Sequence, residues 1–271
     1  MAEMFIQTDE KLLLIEEWSK ENPNLVAGFT TKRGGVSQKP YQSLNTGFHV
    51  GDEKDDVIEN RKRIAKELRF HSNSWVGCEQ THDIQIKKID STQKGLGALD
   101  YETALKGVDG LYTTEKGILL TLCFADCVPL YFYHPKSKLI GIAHAGWKGT
   151  VNGIAQKMIH KWEEEGVPPE EVQTIIGPSI CGNCYIVDNK VINLVQNRVE
   201  ENEEKPYNLV SEGQYKLDLK LLNAQILKKA GVRHVSVTSL CTSCDHDLFF
   251  SHRRDKGTTG RLMSFIGWKE D

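Results

Sequence analysis

No stretch of this chain approaches the ~18 consecutive apolar residues of a transmembrane helix, so no membrane partner is expected. The opening residues, MAEMFIQTDEKLLLIEEW, lack a basic leader and carry only a short apolar run before acids resume. A signal peptide is therefore not expected, and a cytoplasmic location is. Neither sign of charge dominates: 34 Lys and Arg stand against 37 Asp and Glu, a formal net charge of −3. Without a basic excess or stripe, nucleic acid is not an expected partner. Repeats, low-complexity tracts and an interdomain linker are also missing, and residues 1–271 read as a single domain.

What is present is an ordinary globular composition, 39% hydrophobic and 26% charged, on a chain long enough to bury a sizeable core. There are seven cysteines. An odd number in a chain with no expected leader argues against a disulfide framework and for free thiols, metal ligands or buried residues.

Apolar periodicity predicts helices over 9–20, 52–69, 150–165, 189–198 and 217–230. Strand-like runs fall at Leu25–Thr30, 74–78, 84–89, 110–114, Ile118–Phe124, 172–176, 234–238, 248–251 and Leu262–Trp268. Ile118–Phe124 is apolar enough to be buried on both faces. Residues 31–47 form a long turn-rich loop of the kind that is usually functional or mobile, and the charged stretch 200–205 reads as a solvated loop. The fold class is α/β, with mixed sheets and helices packed outside them in a layered α-β sandwich.

The most informative segment is FADCVPLYFYHPKSKLIGIAHAGWKGT, residues 124–150. Its two strand-like runs flank the polar segment 134–137, which contains Pro135. A four-residue loop there sets Tyr133 opposite Lys138 and Cys127 opposite His144, with Cβ atoms ~5 Å apart. A thiol and an imidazole so placed suit either shared metal ligation or a nucleophilic Cys–His pair. A buried cysteine beside a hydrogen-bonded histidine is the plainer alternative. His82, in the polar break Glu79-Gln80-Thr81-His82-Asp83, is a source for a third ligand, although spacing does not dock it against the hairpin.

Taken in order, the motifs resemble a known family. They are Asn45-Thr46-Gly47-Phe48-His49-Val50-Gly51-Asp52, Glu59-Asn60-Arg61, Gln80-Thr81-His82, Val108-Asp109-Gly110-Leu111, Ala125-Asp126-Cys127-Val128-Pro129, His144-Ala145-Gly146-Trp147, Gly177-Pro178-Ser179-Ile180 and Phe249-Phe250-Ser251-His252-Arg253-Arg254-Asp255. Through them the chain resembles, over nearly its whole length, the multicopper-oxidase-like laccase-domain family, also called the YfiH or YlmD family of purine nucleoside phosphorylases. The resemblance implies a transition metal, normally zinc, on His82, Cys127 and His144. Three protein ligands leave a fourth tetrahedral position open, where a water could be activated to attack C6 of adenine.

The resemblance further implies phosphorolysis of adenosine, inosine, guanosine and methylthioadenosine, with purine nucleosides and phosphate as the small-molecule partners. Candidate catalytic residues are Cys127 and Asp126. Arg61, Arg253 and Arg254 are candidates for phosphate or ribose, joined by Lys32, Arg33 and Lys148; Asn45 and His49 are candidate base or sugar contacts. The chain departs from the family pattern at Lys32 and Lys148, where arginine is common, and at Asp83, where glycine is. Charge is kept at both lysines, but a bidentate phosphate contact would be lost.

Other readings remain open at this point. A His–Cys–His site also takes Cu2+, which would make phenol oxidation an activity, yet the nine histidines contain no HxH pair from which a many-histidine cluster could be built. A hydrolase editing peptidoglycan precursors would use the same site. The pairs Cys181-Gly182-Asn183-Cys184 and Cys241-Thr242-Ser243-Cys244 read first as reduced cysteines; a four-cysteine zinc site or redox-sensitive thiols come second, because the gap far exceeds the usual ~15–20 residues. A sealed thiolate site of that kind would favour a scaffold protein over an enzyme.

Overall fold

Ile118–Phe124, Val128–His134 and Leu139–Ala145 are buried along almost their entire length, as three unbroken branched and aromatic runs require. The rest of the chain is arranged around them in the computed structural model, which describes residues 3–270. Ile118–Phe124 lies in one six-stranded sheet, in the order Phe5–Gln7, Leu12–Ile15, Leu25–Thr30, Leu262–Trp268, Ile118–Phe124, Trp75–Val76. The other two runs form the middle of a second six-stranded sheet, ordered His234–Val237, Gln173–Ile176, Val128–His134, Leu139–Ala145, Gly110–Thr113, Ile86–Lys88. Residues 125–127 are thus where the chain crosses from one sheet to the other.

The sheets face each other across a core to which Phe29, Leu120, Leu122 and Ile266 contribute from one side and Tyr131, Tyr133, Ile140 and Ile142 from the other. Alternation along Val128–His134 sends Leu130 and Phe132 to the opposite face, against Met158, Ile159 and Trp162 of helix Ile154–Glu164 and Leu222 and Leu227 of helix Leu219–Lys229. The outer face of the first sheet is covered by helix Lys54–Leu68 through Ile64, Ala65 and Leu68. Each buried Leu, Ile, Phe or Met among them contributes about 1.5–3 kcal/mol. The result is the expected α/β class in a four-layer α-β-β-α arrangement. No helix among the described residues is long and apolar enough to cross a membrane.

Several expectations are corrected. The helix over 9–20 is instead strand Leu12–Ile15 followed by the short helix Glu16–Glu21. Asp9 accepts the Lys11 and Leu12 N–H groups in a turn, and Leu12 to Leu14 pair with Leu25–Thr30, so tertiary pairing overrides propensity. The helix over 150–165 starts earlier and is two helices, Trp147–Asn152 and Ile154–Glu164, broken at Gly153 where φ is +85°. Residues 248–251 are not a strand; Phe249 and Phe250 are buried in a turn-rich segment gathered by Asp245 and Asp255. The sheet of Ile186–Asp188, Gln214–Leu217 and Tyr207–Ser211, and strand Phe5–Gln7, were not expected from the pattern. Finally, the central hairpin turns at 135–138, with Lys138 at φ +56°, and Pro129 faces His144. The register is offset by two from the expected one. An even offset keeps every side chain on its face, so Cys127 is diagonal to His144, still within side-chain reach.

Candidate metal centre and pocket

Cys127 sits at the crossing between the sheets because Asp126 holds the chain there. Asp126 has φ +85°, a conformation that costs a non-glycine residue of order 1 kcal/mol. Its carboxylate accepts the Thr242 hydroxyl at 2.7 Å and the Arg253 N–H at 2.6 Å, and its carbonyl accepts the Ile180 N–H at 3.0 Å. Those bonds offset the strain and fasten three segments beside Cys127. Asp126, a candidate catalytic residue from the sequence, lines the cavity with both carboxylate oxygens engaged by protein donors.

His82 reaches the same point through a second constrained turn. Its own φ is +61°, and the buried Asp109 carboxylate gathers the consecutive N–H groups of Thr81, His82 and Asp83 at 3.0, 3.1 and 3.0 Å, a backbone nest around an anion. The same carboxylate bonds His144 Nδ1 at 2.8 Å, which leaves His144 Nε2 as its free ring nitrogen. Asp109 therefore positions both imidazoles. This role has no local sequence cue beyond its place in one matching motif.

The ligand atoms of His82, Cys127 and His144 all lie within 4.8 Å of one another, and the two rings meet edge to face with centroids 4.7 Å apart. Gly146 makes room for them: a Cβ there would lie 3.0 Å from Cys127 Sγ and 3.0 Å from His82 Cδ2. Burial pushes the Cys127 thiol up, but the neighbouring His144 and His82 imidazoles outweigh it and lower the thiol to about 6. For His144, burial disfavours the charged ring, and the Cys127 charge with the Asp109 hydrogen bond reverses this, raising it. Two imidazoles and a readily ionised thiol, one imidazole oriented by a carboxylate, match the donor chemistry of a three-ligand transition-metal site.

The cluster lies in a cavity of about 410 Å³, within the range of small-molecule sites. Trp147, Ile180, Tyr185 and Leu219 give it apolar walls, while His49, His252, Arg253 and Arg261 bring polar and cationic groups. Burial and the nearby Cys127 push the Tyr185 hydroxyl up to about 12, so it remains a neutral donor. At the rim, partial desolvation and the charges of Arg261 and Arg61 hold the His49 imidazole down at about 4, so it is neutral.

Of the expected substrate residues, His49 and Arg253 line this cavity. Arg253 stacks on Tyr185 at 4.8 Å and donates to the Ile186 carbonyl at 2.6 Å. Arg61 is elsewhere: its buried guanidinium donates to the carbonyls of Thr46, Gly97 and Ala98 at 2.9, 2.7 and 2.7 Å. Arg254 bonds Asp255 and the carbonyls of Thr242 and Phe249. Asn45 spends its amide on Gly47, Asp52 and the Arg261 N–H. In this structure these three side chains serve partners within the protein, as buried donors must, and none of them is among the residues that line the cavity. Lys32, Arg33 and Lys148 are not among the lining residues. Arg261 went unnoticed in the sequence; it is carried by the segment that pairs with Asn45 and Thr46.

A family model described as multi-copper polyphenol oxidoreductase laccase matches residues 26–269. Purine nucleoside phosphorylase YlmD of Bacillus subtilis (strain 168) is 49% identical across 98% of this chain and 98% of its own. The crystal structure of YlmD from Geobacillus stearothermophilus superposes with a TM-score of 0.96 at 47% identity, covering 99% of this chain and 100% of that one. The structure of YfiH from Bacillus licheniformis gives a TM-score of 0.94 at 49% identity, over 98% and 99% of the two chains. With that extent of match in sequence and fold, the chain belongs to the multi-copper polyphenol oxidoreductase laccase family.

Proposed function

We propose that the chain is a purine nucleoside phosphorylase whose His82, Cys127 and His144 hold a zinc ion at the floor of the cavity. The observation that carries this reading is the convergence of the three side chains within 4.8 Å in a pocket that also presents apolar walls and the cations Arg253 and Arg261. The relatives' names as purine nucleoside phosphorylases support it. Zinc on three protein ligands would supply a Lewis acid with one open position.

The chain's own residues perform the rest. Trp147, Ile180, Tyr185 and Leu219 bury the purine faces, since a flat aromatic base gains by leaving water for such walls. Arg253 and Arg261 hold phosphate, whose oxygen forms the new bond to C1′ as the C1′–N9 bond breaks and its electron pair leaves with the base. The products are base and ribose-1-phosphate, or 5-methylthioribose-1-phosphate where the sugar carries the methylthio group, and fixed cations stabilise the attacking anion without reorganisation. Adenosine, inosine, guanosine and methylthioadenosine are the proposed substrates, and deamination of adenosine is a second activity of the same pocket. The family description favours one other reading, copper-dependent phenol oxidation, because two imidazoles and a thiol bind Cu2+ above Zn2+; oxygen consumption by copper-loaded protein with a phenol tests it.

The decisive experiment is product analysis of zinc-loaded protein with adenosine, with and without phosphate, beside Cys127→Ala. Phosphate-dependent adenine and phosphate-independent inosine are expected, both lost in the variant. Neither product at a full zinc complement would overturn the assignment.

A further inference from the structure

The two CxxC pairs are far apart in sequence and meet in space. Cys181, Cys184, Cys241 and Cys244 bring their sulfurs within 4.8 Å of one another, with Cys184 and Cys244 Sγ at 3.4 Å and Cys181 and Cys244 Sγ at 3.9 Å. A disulfide needs about 2.05 Å between sulfurs. A tetrahedron with Zn–S of about 2.3 Å has S–S edges of about 3.8 Å, and the 3.4 and 3.9 Å separations lie on either side of that edge. We propose that these four cysteines form a closed tetrathiolate site for a structural zinc ion, separate from the His82–Cys127–His144 cluster.

The backbone around the sulfurs is organised to serve them. The N–H groups of Cys181 and Cys244 point at Cys241 Sγ, at 3.2 and 3.4 Å, so the backbone of both loops wraps around that sulfur. Cys184 N–H closes the first loop onto the Cys181 carbonyl at 3.0 Å. In the second, Asp245 accepts the Cys241 N–H at 2.8 Å. Gly182 lets the first loop lie against the chain at Asp218, whose Cβ would be 3.0 Å from any Cβ added there. A bridge between Ser179 and Cys241 fixes one loop against the other. Four thiolates around Zn2+ leave two net negative charges; the Lys216 ammonium on Asn183 and the Arg254 guanidinium on the Thr242 carbonyl lie beside them.

This position would brace the pocket. The first CxxC lies between Ile180 and Tyr185, both in the cavity wall, and the second contains Thr242, the hydroxyl that holds Asp126 next to Cys127. Four protein ligands leave no open coordination position, so the ion would act on folding and positioning alone.

The test is elemental analysis of the full chain purified without chelators, with zinc K-edge absorption on the His82→Ala/Cys127→Ala variant. Two zinc ions per chain are expected in the wild type. One should remain in that variant, with four sulfur scatterers at ~2.3 Å and no nitrogen. Cys184→Ser/Cys244→Ser should lose one equivalent and melt at a lower temperature. If that second variant does not fold, the absorption spectrum of the first still decides. No zinc in the His82→Ala/Cys127→Ala protein, with all four thiols freely titrating in the folded state, would overturn the proposal. So would disulfides in the intact mass. One zinc in the wild type with four sulfur neighbours would uphold this site while removing the ion from the His–Cys–His cluster.

Discussion

Replacing Gly146 with alanine adds one methyl group at the most crowded point of the cluster. Built on the existing backbone, that carbon is 3.0 Å from Cys127 Sγ and 3.0 Å from His82 Cδ2. Ordinary carbon contacts fall at ~3.5–4.0 Å, so its neighbours must withdraw by roughly 0.5–1 Å. Cys127 cannot yield easily, because the Asp126 turn ties it to three segments. His82, exposed, is the side chain that moves. A displacement near 1 Å costs on the order of 10²-fold in rate, equal to about 2.7 kcal/mol of barrier. Folding should hardly notice. Gly146 has φ −66° and ψ 172°, open to any residue, and alanine gains about 0.4–1 kcal/mol by restricting the unfolded chain. The assay is kcat/KM for phosphorolysis together with zinc content and Tm. Activity should fall about 10²-fold with Tm within a few degrees of wild type. Unchanged activity and zinc content in G146A would refute the reasoning that these three side chains act as one close-packed set.

Other outcomes follow from the same contacts. Asp109→Asn places an amide donor among donors, so zinc affinity and activity should drop about 10–100-fold, read by competition with a chromogenic chelator. Arg61→Lys should lower stability by about 2–4 kcal/mol in urea unfolding while leaving the KM for phosphate unchanged, since its donors serve buried carbonyls. Arg261→Gln should act mainly on binding, raising the KM for phosphate at least ~10-fold for one lost charge-assisted contact, with a smaller loss of stability than Arg61→Lys because only its Nη1 serves the Thr259 and Gly260 carbonyls; equal effects on nucleoside and phosphate KM would remove Arg261 from the phosphate site.

What the sequence disclosed about the site was local. The branched runs around 128–145 announced a hairpin, and its parity placed Cys127 and His144 on one side. Where the loop begins depends on which residue takes the left-handed turn, and Lys138 rather than His134 ends up in it. The arginines were the least legible. Arg61 is indistinguishable in sequence from the solvated charges beside it on its helix, and its partners at Thr46, Gly97 and Ala98 are reached only through tertiary folding. Arg261 follows a run of small residues with no motif of its own. Asp109 is similar: three consecutive N–H groups from a distant loop define its role. Leu12–Ile15 shows the same limit for elements, because an apolar run of four reads as helix or strand until its neighbour is known.

The unequal exposure of the three clustered side chains has a kinetic meaning. His144 is buried and braced by Asp109, Cys127 is half-buried, and His82 alone faces solvent. An ion held by the three would enter and leave past His82, with the other two donors already in place. Exchange with a chelator would then be paced by rotation of one imidazole on its backbone nest, with no opening of the sheets, and its rate would stay nearly constant while denaturant erodes the stability of the fold as a whole.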